Sequence, residues 1–242
     1  MLLILSDVHG RFEVVNEQIA DAEDRVGSAL AGAIVLGDFG LIEPHLRRFF
    51  RKHGQRFTRP LAFVDGNHED FDHFEALVEG YADVFTHWPR GAVRDLDDHR
   101  FLCLGGAAYM DAFMTPERAV VKARDIERCL AHPAGAVSAV LSHDCPAGIG
   151  VENTPGFEHY GPPGFPGGQR LVEHFHPGLW LFGHHHRWFD AAQGGTRYVG
   201  LPQSWDGYVL LDRDDTLSQV RNCLRVTTSP PQGLFGRLFG RR

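Results

Sequence analysis

The sequence predicts an α/β layered domain, and three observations carry that prediction. Short apolar runs recur at residues 2–5, 33–36, 61–64, 139–141 and 179–182. They show no alternation, the pattern of strands covered on both faces. Helical spacing fills the gaps between several of them, as in strand–helix layered folds. Each run also ends in residues able to ligate a metal, and in open α/β sheets that edge is where ligand sites form.

Taken in order, the first run reads as a buried strand that leads into Ser6-Asp7-Val8-His9. Phe12, Val15, Ile19 and Ala22 then recur at helical spacing. The second run ends in Gly37-Asp38; beyond Pro44, Leu46, Phe49 and Phe50 mark a helix that stops at Lys52-His53-Gly54. The third run ends in Asp65-Gly66-Asn67-His68-Glu69. Residues 92–104 are closely spaced strand-like segments around the turn DLDDH. Thr115-Pro116-Glu117 reads as the N-cap and first turn of a helix that carries Val120, Ala123, Ile126 and Leu130 on one face. The fourth run ends in Ser142-His143-Asp144. Residues 146–168, rich in Pro and Gly, are too long for a passive connection and read as a functional surface loop. The fifth run ends in Gly183-His184-His185-His186, and strand-like segments over 187–221 predict antiparallel additions to the sheets. There is no internal repeat and no second domain. The expectation is one domain over 1–228 and a flexible tail over 229–242, set off by a Pro-Pro break.

The bulk numbers narrow the class. The chain has 242 residues, 43% of them hydrophobic and 23% charged, an ordinary soluble composition. A net charge of -7 argues against a general nucleic-acid coat. Cys103, Cys129, Cys145 and Cys223 lie far apart with no C-x-x-C pair, so they read as reduced thiols. The N-terminus has no basic leader or cleavage site, and no apolar run approaches the ~20 residues that span a bilayer. A cytoplasmic enzyme is the expectation.

Asp7 and His9, like His184 and His186, are two residues apart, so on an extended backbone each pair faces one point. With Asp38, Asn67 and His143 they make seven N/O candidates, more than one tetrahedral ion uses. They suit two ions, with Asp38 able to bridge them. The set has no thiolate, which favours manganese, iron, zinc or cobalt. His185 reads as a spacer, and Arg11, Arg118 and Arg187 are candidates to touch a phosphate.

The order D-x-H, GD, GNH[ED], H, G-H-x-H over residues 7 to 186 resembles the calcineurin-like metallophosphoesterase superfamily. The GDFG and GNHE details resemble a bacterial and phage-type subgroup of it. The resemblance implies an αββα fold, a two-sheet sandwich flanked by helices. It implies Asp7, His9, Asp38 and His186 around one metal, and Asp38, Asn67, His143 and His184 around the other. His68 would be the catalytic acid, and Asn67 and His68, with Arg11 as a weaker candidate, would bind substrate. Asp70 or Glu69 would orient His68, and Asp144 would support the ligands from behind. The cofactors implied are two divalent ions, manganese first, with iron, zinc, cobalt or nickel as alternatives. The implied reaction is hydrolysis of small or nucleotide-like phosphomonoesters or phosphodiesters by a metal-bridging hydroxide. The alternatives are a non-catalytic protein-binding scaffold on the same fold or a metal-dependent nuclease. Gly37-Asp38-Phe39-Gly40 offers no arginine after the GD, which argues against a phosphoprotein substrate. Tyr109-Met110-Asp111 and the 146–168 loop are expected to flank the metal edge.

Overall fold

A computed structural model describes residues 1–224. The expected tail over 229–242 and the expected domain limit at 228 lie outside the described residues. In chain order the elements are β1 (Leu2–Leu5), α1 (Phe12–Val26), β2 (Gly32–Leu36), α2 (Glu43–Leu46), β3 (Leu61–Val64), α3 (Phe74–Gly80) and β4 (Thr86–His87). Then follow β5 (Val93–Leu96), β6 (His99–Leu104), α4 (Ala123–Leu130), β7 (Ala139–Ser142), α5 (Gly168–Phe175) and β8 (Leu179–Phe182). The chain closes with β9 (Phe189–Gln193), β10 (Thr196–Gly200), β11 (Gly207–Leu211) and β12 (Leu217–Arg221).

These strands build two six-stranded mixed sheets, in the orders β12-β11-β1-β2-β3-β4 and β5-β6-β7-β8-β10-β9. The five apolar runs are their parallel centres. The lack of alternation has a direct cause, because every one of these strands is buried on both faces. Leu2, Ile4, Ile34, Leu36, Val64 and Val209 point between the sheets, where Phe101, Leu141 and Leu181 meet them. Leu3, Leu5, Val35 and Phe63 point outward into a layer with Phe12, Ile19, Leu46 and Leu77 from α1, α2 and α3. On the far side Leu102, Val140 and Trp180 pack under Ile126 of α4 and Leu171 of α5. The result is the αββα sandwich.

The structure changes three expectations. First, the predicted helix after Thr115 begins only at Ala123. Val121 N donates to the Ala107 carbonyl and Ala107 N to Ala119, so this stretch is spent on a strand-like bridge. The Asp125 carboxylate accepts from Lys122 N (2.9 Å) and starts the helix there. Second, the helix after Pro44 is four residues of α2 followed by a wider π turn over Arg47–Lys52, which ends at His53 as the sequence suggests. Third, the additions after residue 187 are not all antiparallel. The strands β9, β11 and β12 are, but β10 runs parallel to β8. No helix among the described residues is long and apolar enough to cross a membrane.

Candidate metal centre

The C-terminal ends of β1, β2 and β3 in one sheet and of β7 and β8 in the other open onto the same edge of the sandwich. Loops from both sheets therefore deliver polar side chains to one place. Asp7, Asp38, Asn67 and His143 are buried there, while His9, His68, His184 and His186 are partly exposed.

The candidates sit in two touching groups. In the first, one ligand atom from each of Asp7, His9, Asp38 and His186 lies within 4.8 Å of the others. His186 Nε2 is 3.1 Å from Asp7 Oδ1 and 3.5 Å from His9 Nε2. In the second, His143 Nε2 lies 2.9 Å from Asn67 Oδ1, 3.3 Å from His184 Nδ1 and 3.4 Å from Asp38 Oδ1. Asp38 belongs to both, with His9 Nε2 3.9 Å from its other oxygen.

The second group tests whether a cation fits. His143 Nδ1 donates to the Leu36 carbonyl (2.7 Å), so Nε2 faces inward and, in the neutral ring, presents its lone pair there. Asn67 Nδ2 donates to the Met114 carbonyl (2.7 Å), which leaves Oδ1 facing the same point. Lone-pair atoms this close repel unless positive charge lies among them. A mixed N/O set of this kind fits a divalent transition ion.

Protonation points the same way. Burial opposes ionisation of Asp7, yet His186 outweighs it and brings the carboxyl down to about 2. Asp38 is also held well below the usual range, against its burial, by His143, His68 and His9. Burial pushes His9 down to about 4 and His184 down to about 3, so both rings are neutral at pH 7. Ionised carboxylates and neutral imidazoles are the forms that bind a metal. His143 and His186 run the other way: burial pulls them downward, but Asp38 and Asp7 outweigh it for His143 and Asp7 does so for His186, holding both above the ordinary value, so a bound metal would have to displace a proton there.

The pairing of His184 with His186 does not arise from extended backbone. Asp7, His9, Asp38, His184 and His186 all have left-handed φ, at 53, 49, 47, 67 and 53°. Such conformations cost non-glycine residues roughly 1–2 kcal/mol each and persist where the surroundings over-determine them. Here they do: His9 N donates to the Asp38 carbonyl (2.7 Å), and His184 N donates to the Asp7 carboxylate (3.0 Å). The two rings consequently enter different groups rather than one. Two glycines permit the crowding. A Cβ on Gly66 would lie 2.1 Å from Asp38 N, and one on Gly183 would lie 1.7 Å from Ser6 Oγ.

His185 points away, to Asp144 Oδ1 (3.0 Å) and Cys145 Sγ (3.3 Å). Burial raises the Cys145 thiol far above its ordinary value, so this second Asp–Cys–His cluster offers no thiolate. Asp144 also accepts from Ala108 N (2.9 Å) and Cys145 N (2.7 Å).

Neither acidic neighbour orients His68. Asp70 bonds to His73, and Glu69 turns inward to accept from the backbone N–H groups of Phe39, Gly40, Leu41 and Gly66 (2.7–3.3 Å). His68 lies instead against Asn67 Nδ2 (3.2 Å) and 4.0 Å from Asp38 Oδ2. Arg11 stacks on Trp205, 4.7 Å from the ring, and Arg118 binds Glu75 and the Phe71 carbonyl. Sequence reasoning also missed Arg90. It donates to Asp65 (2.8 Å) and to the Val120 carbonyl (3.0 Å), tying the end of β3 to the strand-like bridge before α4. An arginine in an unpatterned loop carries no signal of that role. A cleft of about 390 Å³ opens from Asp38, Asn67, His68 and His184 toward Tyr109, Met110 and the 153–164 segment.

A family model described as calcineurin-like phosphoesterase matches residues 1–188. None of the curated proteins matches in sequence. Among solved structures, phosphopantetheinyl hydrolase of Mycobacterium tuberculosis is 15% identical over 90% of this chain and 95% of its own, with a TM-score of 0.53. The sulfate thiohydrolase SoxB of Thermus thermophilus is 14% identical over 92% of this chain, which spans only 56% of it, with a TM-score of 0.53. GAP50, the anchor in the inner membrane complex of Plasmodium, is 11% identical over 98% of this chain and 93% of its own, with a TM-score of 0.50. At these identities the likeness is one of fold.

Proposed function

The chain belongs to the calcineurin-like phosphoesterase family, whose members are metal-dependent phosphoesterases, and from that premise we propose that its metal edge seats two divalent ions and hydrolyses small phosphoesters. The observation that carries the reading is the convergence of N and O donors from five loops onto two groups that share Asp38. Asp7, His9, Asp38 and His186 would hold one ion; Asp38, Asn67, His143 and His184 would hold the other. Manganese is the metal we propose first. When bound, the ions supply Lewis acidity and offset the charge of the phosphoryl oxygens.

The chain's own residues do the rest. Asp38 positions both donor groups, and its Oδ1 is itself held by the backbone N–H groups of Asn67 and His68 (2.9 Å each). His143 and Asn67 keep their donor atoms inward through bonds to Leu36 and Met114. His68, at the cleft, protonates the leaving oxygen as the ester P–O bond breaks and water's oxygen bonds to phosphorus. The attacking water gives up a proton, and the products are an alcohol with inorganic phosphate from a monoester, or an alcohol with a phosphomonoester from a diester. Arg11, on Trp205 beside His9, is a secondary candidate for a substrate contact.

The test is hydrolysis of a panel of phosphate mono- and diesters with Mn²⁺, Fe²⁺, Zn²⁺, Co²⁺ or Ni²⁺ added to purified protein. Activity with at least one metal is expected, together with two ions per chain. Activity with none of them would sink the proposal.

A further inference from the structure

The reading above leaves the leaving group unspecified, and the cleft wall addresses it. Beyond the metal edge the wall changes character. It is made by Tyr109, Met110 and Met114 from one segment and by Phe157 and Tyr160 from the 146–168 loop. Tyr109, at 60% exposure, and Phe113, at 45%, are the exposed large apolar side chains among the described residues, and both lie in this one rim segment. Elsewhere among the described residues the large apolar groups are buried or partly buried, so the rim stands out as an aromatic surface open to solvent.

The rim is built. The Tyr160 hydroxyl donates to the Asp111 carboxylate, whose other oxygen accepts from Phe113 N and Met114 N (2.8 Å each). The Met114 carbonyl in turn accepts from Asn67, a proposed metal ligand. A chain of bonds thus fixes the aromatic wall relative to the reacting edge.

Charged groups beyond the metal edge are few. Arg187 is the one Lys or Arg among the described residues lining this cleft, and its guanidinium bonds to the neutral Thr154 Oγ1 (2.9 Å) and His185 carbonyl (3.3 Å) at the side of the aromatic wall. A volume of about 390 Å³ suits a small ligand.

We infer that the cleft selects phosphate esters bearing a flat, uncharged ring in the leaving group. The ring lies against Tyr109 and its neighbours through aromatic and Met contacts. This rests on the phosphoesterase reading for its phosphate half. A nucleobase and a simple aryl group share the required chemistry.

Adenosine monophosphate and ribose 5-phosphate release the same 5′ oxygen and differ by the base; benzyl and propyl phosphate differ by a phenyl ring in place of an ethyl group. In the Mn²⁺-loaded full chain, kcat/KM should be at least tenfold higher for the ring-bearing member. Preference in both pairs means any flat ring suffices; preference in the first alone means a nucleobase. Tyr109→Ala should cut the ratio at least fivefold, and Tyr109→Phe should restore it. Ratios below two in both pairs, or ratios that Tyr109→Ala leaves alone, overturn the inference. Calorimetric titration keeps the two readings apart: phenylphosphonate should bind at least tenfold more tightly than methylphosphonate, with Tyr109→Ala erasing the difference. That result with no ester hydrolysed would sink the enzymatic reading and spare the ring site; equal binding would sink the ring site whether or not esters are hydrolysed.

Discussion

The polar residues at the metal edge divide into those aimed at the cleft and those that hold them there. His68 is of the first kind. It lies at the cleft against Asn67, and we assign it the proton for the leaving oxygen. His68→Ala should lower kcat by roughly 10²–10⁴ while leaving two ions per chain by elemental analysis; loss of metal with the activity would make it a ligand instead. Glu69 is of the second kind. Its buried carboxylate gathers four backbone N–H groups from the loops after β2 and β3, although burial and the nearby Asp38 push its carboxyl up to about 7. Removing it would orphan those donors. Glu69→Ala should therefore cost roughly 3 kcal/mol or more in urea unfolding, and a loss under about 1 kcal/mol would show that water replaces it.

At the scale of elements, the strand ends are joined by charged clasps as well as by packing. Asp65 at the end of β3 and Arg90 before β5 are both largely buried, and Arg90 also holds the carbonyls of Ala119 and Val120. Burial works against the Asp65 charge, but Arg90 and His87 hold its carboxyl well below the usual range. A carboxyl depressed in the fold contributes stability above its unfolded value of about 4 and loses it as pH falls further. Arg90→Met should strand a buried carboxylate, costing roughly 3–5 kcal/mol at pH 7. The deficit should shrink as pH falls from 7 toward 3, because the stranded, buried Asp65 takes up a proton in the variant before it does so beside Arg90. A deficit that stays constant from pH 7 to 3 in denaturant titrations would contradict this electrostatic account.

At the scale of the whole molecule, the proposed metals would be held at the edge where loops from both sheets meet, and so would tie the sheets together. Ions that bind only the folded chain stabilise it by about 2.7 kcal/mol per site at a hundred times Kd. Mn²⁺ should raise the Tm by several degrees over the chelated protein, and Asp38→Asn should abolish most of that rise. An equal rise in the variant would place the ions elsewhere. Thiol chemistry follows from the same layering. Burial pushes the Cys103 and Cys129 thiols up to about 12 and Cys145 higher, while Cys223 is exposed. A thiol reagent should label the native chain at Cys223 and reach the other three only after unfolding.

Much of this was legible in one dimension because the chemistry is clustered there. The five apolar runs became the strand centres, since strands buried on both faces must be apolar at every position. The motifs D-x-H, GD, GNHE and GHHH sit where those strands end. The start of α4 was misread because a bridge to Ala107 outcompeted a good N-cap sequence at Thr115. Glu69, Arg90 and the Tyr160–Asp111 bond could not be read at all, because each acts on residues at least 25 positions away apart from one bond within its own loop. Composition and motif order, then, determined the layered class and the donor types. Tertiary structure decided how the donors divide into two groups, through left-handed turns that periodicity does not encode. It also decided what the cleft wall is made of, because distant loops meet there only once both sheets have closed around their shared core.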